Sequence, residues 1–159
     1  MNFNSEKIIQ SLSEAVSQAY EGMSFTEIDG FKKINKLPDL SPDYYYSFLK
    51  ILQPFSADFY LIIDKQILLD VLEATMPEDQ TRNKEKIIFD ILNEYINVIA
   101  GTLMMNLLPP DEEFKLGLPQ CGKYSEKKSP FILHKNSIGV EFTIEFSKIY
   151  CLFTPTGSD

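Results

Sequence analysis

The sequence predicts an α+β domain in which two long, pseudo-symmetric helices pack on a mostly antiparallel β-sheet. Three observations lead there. The stretch Glu85 to Leu108 reads EKIIFDILNEYINVIAGTLMMNLL, with apolar residues at helical spacing over more than six turns. Short runs of alternating or β-prone residues, separated by prolines and polar loops, account for much of the rest. And Glu6-Lys7-Ile8-Ile9 recurs as Glu85-Lys86-Ile87-Ile88, about half a chain later. On that repeat Gly22 falls on Gly101, Asp58-Phe59 matches Glu141-Phe142, and each half contributes one long helix followed by strands.

In chain order, Ser5 is a candidate N-cap, and Ile8, Ile9, Leu12, Ala15, Val16, Ala19 and Tyr20 follow on one helical face until Gly22. Phe25, Ile28 and Phe31 around Asp29-Gly30 suggest a strand and turn. Leu37 to Pro42 is a proline loop. Tyr44 to Leu52 and Ala57 to Ile63 read as strands separated by Pro54, and Lys65 to Met76 as a helix stopped by Pro77. After the long helix, ended by Pro109-Pro110, the alternation of Phe114, Leu116 and Leu118 predicts a strand up to Pro119. Gly122 to Ser129 reads as a polar loop. Phe131 to Leu133 and Ile138 to Phe146 read as strands, Ile149 to Phe153 as a last edge strand, and residues 154–159 as a loose tail. The expected organisation is a single domain over 1–159 with its core at about 5–153.

Composition narrows the function classes. The formal net charge is -8 and the 15 Lys+Arg are scattered, which opposes nucleic acid and an anionic membrane surface as partners. Asn97, Gly101 and Asn106 interrupt the longest apolar run, so a membrane span is not expected. The first ten residues lack the pattern of a signal peptide, and two cysteines without a CxxC suit a reducing, cytoplasmic setting. With 1 His, no histidine-rich metal site or histidine relay can form.

Chemistry is concentrated on the long helix. Apolar residues, Met105 among them, cover well over half its circumference. The narrow stripe left holds Asp90, Asn93, Glu94, Asn97 and Gly101, with Glu94 and Asn97 one turn apart. Four readings fit this seam: the solvated edge of a core helix; a divalent-cation site on Asp90 and Glu94, poor in ligands; a glycosidase-like carboxylate pair, without a tryptophan platform for sugar; and a docking face whose carboxylate pairs with a cation while its amide holds a water. Glycine at 101 would let a partner's backbone come near. On the repeat, Ser11, Ala15 and Gln18 stand where Asp90, Glu94 and Asn97 stand, so the first helix carries a degenerate seam. Cys121 as a nucleophile and His134 as its helper are weaker candidates.

The pattern Asp90-x3-Glu94-x2-Asn97, the phrase Leu92-Asn-Glu-Tyr-Ile-Asn-Val-Ile-Ala-Gly101, the segment Pro54 to Ile62, and Leu116-Gly-Leu-Pro119 together resemble the CheC/CheX/FliY chemotaxis phosphatases, CheX most closely. The resemblance spans about Ser5 to Phe153. It departs where Thr102-Leu103 follow Gly101 and where Pro119 comes one residue early. It implies a hydrolase of two-component signalling that removes the aspartyl phosphate of a CheY-like response regulator. Glu94 would anchor the regulator through its active-site lysine, and Asn97 would orient the attacking water. Asp90, Asn93 and Gly101 would support the interface. This chain would bind no cofactor or metal of its own; Mg2+ would sit in the partner. Ala15 supplies no carboxylate, so one active seam per chain is expected, together with a homodimer for which the Ile149 to Phe153 edge is available. The alternative is a non-catalytic module of the same type that docks a regulator or switch complex.

Overall fold

A computed structural model describes residues 4–24, 27–75, 83–126 and 133–156. The elements are helix α1 (Ser5–Ser24), strands β1 (Gly30–Ile34), β2 (Tyr44–Gln53) and β3 (Ala57–Asp64), helices α2 (Lys65–Thr75) and α3 (Lys84–Leu107), and strands β4 (Lys115–Leu116), β5 (Gln120–Lys123), β6 (Ile138–Ile144) and β7 (Ser147–Pro155). All strands belong to one antiparallel sheet of order β1-β6-β7-β3-β2-β4, with β5 also on β2. The α+β expectation therefore holds, with α2 as a short third helix.

The sheet order is a palindrome about the β7–β3 pair. Each half of the chain runs helix, outer strand, hairpin. The hairpin strands β2 and β3 of the first half match β6 and β7 of the second. The outer strands cross over: β1 pairs with β6 of the other half, and β4 and β5 pair with β2. On this correspondence β3 answers to β7, so the proposed match of Asp58-Phe59 on β3 with Glu141-Phe142 on β6 falls away.

The two helices and one face of the sheet enclose the main core, in which Leu12, Leu49, Phe59, Leu92, Ile96, Leu103 and Phe142 are completely buried. Fully burying a large aliphatic or aromatic side chain stabilises by roughly 1.5–3 kcal/mol, so this layer dominates the fold. α3 is long and apolar enough to cross a bilayer by length and mean hydropathy, despite Asn97, Gly101 and Asn106. Here its apolar face is spent on the core, from Ile88 to Leu107. The opposite face of the sheet carries a smaller cluster of Tyr44, Ile62, Tyr150 and Leu152, covered by Leu37, Leu40 and Leu133. Coverage on both faces explains why β6 and β7 show little alternation in burial.

Several expectations are corrected. The first cap is Asn4, whose Oδ1 accepts from Glu6 N at 2.9 Å, one residue before Ser5. Asp29-Gly30 is no turn: Asp29 N donates to Thr143 O and its carboxylate accepts from Glu145 N at 2.7 Å, which fastens the start of β1 to β6 and its hairpin. The predicted strand at Phe114–Leu118 shrinks to Lys115–Leu116, leaving Leu118 exposed. Part of the predicted 122–129 loop is β5 and a 3-10 turn at Tyr124–Glu126. Ile149 to Phe153 lies inside β7, between β6 and β3, and offers no free edge for a dimer. Thr154 and Pro155 extend that strand, and Thr156 N donates to Ser56 O, so the tail is tied down this far. Phe25, Pro77, Phe131 and residues 157–159, which carried other expectations, lie outside the described residues.

Candidate functional site

Asn83 caps α3: its Oδ1 accepts from Glu85 N at 3.1 Å, and its carbonyl accepts from Ile87 N. From that start the register is set by burial. Ile88, Leu92, Tyr95, Ile96, Ile99, Ala100, Leu103, Met104 and Leu107 face inward. Asn106, near the end of the helix, is exposed; in the turns before it so are Asp90, Glu94, Asn97 and Met105, with Gly101 half-buried among them. Spacings of three and four place these on one stripe running up the helix. The structure thus brings together four of the five seam residues read from the sequence. It adds Met105, which is 64% exposed where the sequence pattern predicts the apolar face; its neighbour Met104 takes the buried place at 0%.

Asn93 leaves the stripe. It is half-buried, and its Oδ1 is buried with no hydrogen-bond partner among the described residues. It faces the boundary with β5, which lies alongside the first turns of α3. Lys123 Nζ meets Glu85 Oε2 at 3.0 Å, and the Cys121 thiol donates to Phe89 O at 3.8 Å. At Gly122 the strand passes so close to Tyr46 that a Cβ would meet the ring at 3.1 Å, so only glycine fits without a shift. Burial first, and then the charge of Asp90, push the Cys121 thiol up, against a lowering by the Asn93 hydrogen bond. A protonated thiol engaged with a carbonyl is a poor nucleophile. His134 lies in a turn before β6, where its backbone N donates to Ser137 Oγ and its carbonyl accepts from Ser137 N.

Glu94 and Asn97 have neither an ion pair nor a side-chain hydrogen bond among the described residues. A carboxylate and an amide one turn apart, both facing outward and neither engaged with their own chain, are free to meet another molecule. At Gly101 an added Cβ would find no atom within 4 Å. The glycine therefore answers no need of internal packing, and the gap it leaves opens outward.

A protein-family model matches residues 45–143, more than half the chain, and its description is chemotaxis phosphatase CheX. The chain belongs to the CheX family. Among solved structures, CheX of Vibrio vulnificus superposes with a TM-score of 0.74 at 12% identity, over 92% of this chain and 97% of that one. CheX of Borrelia burgdorferi, crystallised with CheY, BeF3 and Mg2+, gives 0.71 at 17% identity, over 94% and 97%. FliY of Thermotoga maritima gives 0.60 at 12% identity, over 97% and 92%. At such identities these likenesses speak for the fold. No curated protein matches the chain.

Within this CheX-family fold the first helix needs a new register. The buried positions Ile8, Leu12, Ala15, Val16, Ala19 and Tyr20 repeat on α3 as Ile88, Leu92, Tyr95, Ile96, Ile99 and Ala100, each 80 residues on (88 − 8). The identity of the two Glu-Lys-Ile-Ile runs had suggested 79. One residue turns a helix by roughly 100°, so the difference changes which face is compared. Ser11 and Ala15 are buried at 6% and 0%, and cannot stand where exposed Asp90 and Glu94 stand. The positions that do are Gln10, Glu14 and Ser17, and Gly22 answers to Thr102. Gln10 and Glu14 are exposed and Ser17 is half-buried.

Proposed function

We propose that this CheX-family chain hydrolyses the aspartyl phosphate of a CheY-like response regulator, in a cytoplasmic two-component pathway. The observation that carries the reading is the outward pair Glu94 and Asn97, unengaged among the described residues, on a helix whose opposite face is core. The Borrelia burgdorferi CheX structure, which contains CheY with BeF3 and Mg2+, supports the choice of partner.

The chemistry asks for positioning more than for acid or base. An acyl phosphate is already a reactive electrophile. What it lacks in a regulator's pocket is a water held in line with the phosphorus. Glu94 pairs with the regulator's lysine and sets the approach of the helix. The Asn97 amide enters the pocket and orients the water through its carbonyl and NH2 groups. Mg2+, held by the regulator and not by this chain, neutralises the phosphoryl oxygens. Asp90 lies one turn before Glu94 and supports the interface, and Gly101 and Met105 continue the contact beyond Asn97. A homodimer, as the resemblance implies, would not form on an edge of β7, which is paired on both sides.

The test is phosphate release from a phosphorylated receiver with Mg2+ present. Asn97→Ala should lose on the order of 10²-fold in rate, the scale of one positioned catalytic group, while still binding. Glu94→Ala should lose binding first. If wild type leaves its receiver's phosphate lifetime unchanged, the enzymatic reading falls.

A further inference from the structure

The chain's internal symmetry places a second seam on α1, and we propose that it is a docking seat for a second receiver, one that is held without being hydrolysed. The identity of the partner rests on the phosphatase reading above; the existence of the seat rests on the α1 face itself.

Three observations converge there. First, the sheet palindrome and the six matched core positions make α1 the structural counterpart of α3, with Glu14 in the place of Glu94. Second, Glu14 is exposed, and no ion pair engages it among the described residues. Third, the face is a shaped one. An open groove of about 510 Å³ is lined by Glu6, Ile9, Gln10, Ser13, Glu14 and Phe31. Its charged side chains are both acidic, so it complements a cation. Phe31, on outer strand β1, is 52% exposed, although its ring also meets Phe142 at 6.1 Å. It offers an apolar contact beside the carboxylate. A carboxylate anchor next to an exposed aromatic suits a protein surface presenting a lysine amid apolar residues.

Hydrolysis is not expected at this seat. Ser17 stands in the place of Asn97. Its hydroxyl oxygen is bonded directly to Cβ, one bond shorter in reach than an asparagine amide, and the residue is half-buried where Asn97 is exposed. Nor can Ser13, at the place of Asn93, substitute. It is buried, and its hydroxyl donates to Gln10 O at 2.8 Å. The α1 seat therefore keeps the anchor and lacks the water-orienting group.

The experiment is calorimetric titration of the full chain with a CheY-type receiver loaded with beryllofluoride and Mg2+, alongside phosphate release from the same receiver after phosphorylation. The expected stoichiometry is two receivers per wild-type chain. Either Glu94→Lys or Glu14→Lys should reduce it to one, and the double variant to none. Phe31→Asp should weaken the seat that Glu94→Lys spares; unfolding curves confirm that each variant is folded. Phosphate release with a stoichiometry of one, unaffected by Glu14→Lys, would overturn the second seat and leave the phosphatase reading standing. Sedimentation showing that Glu14→Lys dissolves a homodimer would also overturn it, by giving the face to a second copy. Absence of both phosphate release and receiver binding would instead sink the phosphatase reading.

Discussion

Replacing Gly101 with alanine separates what the fold needs from what the seam does. Gly101 lies inside α3, four residues beyond Asn97, and glycine in a helix interior costs about 1 kcal/mol relative to alanine. Whether that can be recovered depends on space. A Cβ built at 101 meets nothing within 4 Å, so no strain offsets the gain. Gly101→Ala should therefore stabilise the protein by about 1 kcal/mol, raising Tm by roughly 2–4 °C for a chain of this size. Gly101→Leu should also fold, because its side chain projects outward. On the docking face, however, it should obstruct the partner and raise KM for the phosphorylated receiver at least tenfold. Thermal unfolding and steady-state phosphate release read the two effects on the same samples. If Gly101→Ala destabilises the protein, the space around the helix has been misjudged. If Gly101→Leu leaves KM unchanged, the partner does not approach this stripe.

Other outcomes follow from the packing. Ala15→Glu, which inserts a carboxylate at a position that is 0% exposed, should cost roughly 4 kcal/mol in urea unfolding, whereas Glu14→Ala should cost under about 0.5; the reverse order would refute the 80-residue register. Glu141, on the far face of the sheet, is 8% exposed and lies 3.4 Å from Lys148 Nζ and 3.7 Å from that of Lys32. Glu141→Ala should cost roughly 1–3 kcal/mol, chiefly by taking an acceptor from the buried Tyr150 hydroxyl, and urea midpoints near wild type would contradict that. Burial raises Tyr44, Tyr60, Tyr95 and Tyr150 above the usual phenol value of 10.0. A raised folded-state pKa means that the stability is fully present below pH 10 and is lost as pH climbs above it. The buried Cys151 thiol and the half-buried Cys121 thiol are raised above 9.0 in the same way, so denaturation midpoints should hold from neutral pH to about 9 and drop more steeply above 10, where the tyrosines join; a flat profile through pH 11 would contradict this burial.

The sequence carried α3 well, since a helix with one wet stripe announces its register through period 3.6, and Glu94, Asn97 and Asp90 could be read from it. What escaped has physical causes. The double methionine Met104-Met105 straddles the edge of the stripe, and composition cannot tell which one turns outward. The Glu-Lys-Ile-Ile identity misled by one residue, because in each copy both isoleucines are apolar while only one is fully buried: Ile8 in α1, Ile88 in α3. That single slip hid Glu14 behind Ala15. The edge expected at Ile149 to Phe153 is an inner strand, because nothing local distinguishes an inner strand from an outer one; the neighbours of β7 come from pairing across the chain. β5, reading Gln-Cys-Gly-Lys, lacks β-branched residues, and it is held by its place on β2 rather than by propensity. Cys121, which sits beside Asn93, was therefore assigned no place near the seam.

The central claim is that Asn97 acts on a water in a partner's pocket while Glu94 holds that partner. The most direct measurement is single-turnover phosphate release from a phosphorylated CheY-type receiver at saturating chain, comparing wild type with Asn97→Ala and Glu94→Ala. The account predicts that Asn97→Ala binds the receiver but loses on the order of 10²-fold in the rate at saturation, and that Glu94→Ala is limited by weakened binding. An Asn97→Ala rate equal to wild type at saturation would contradict it.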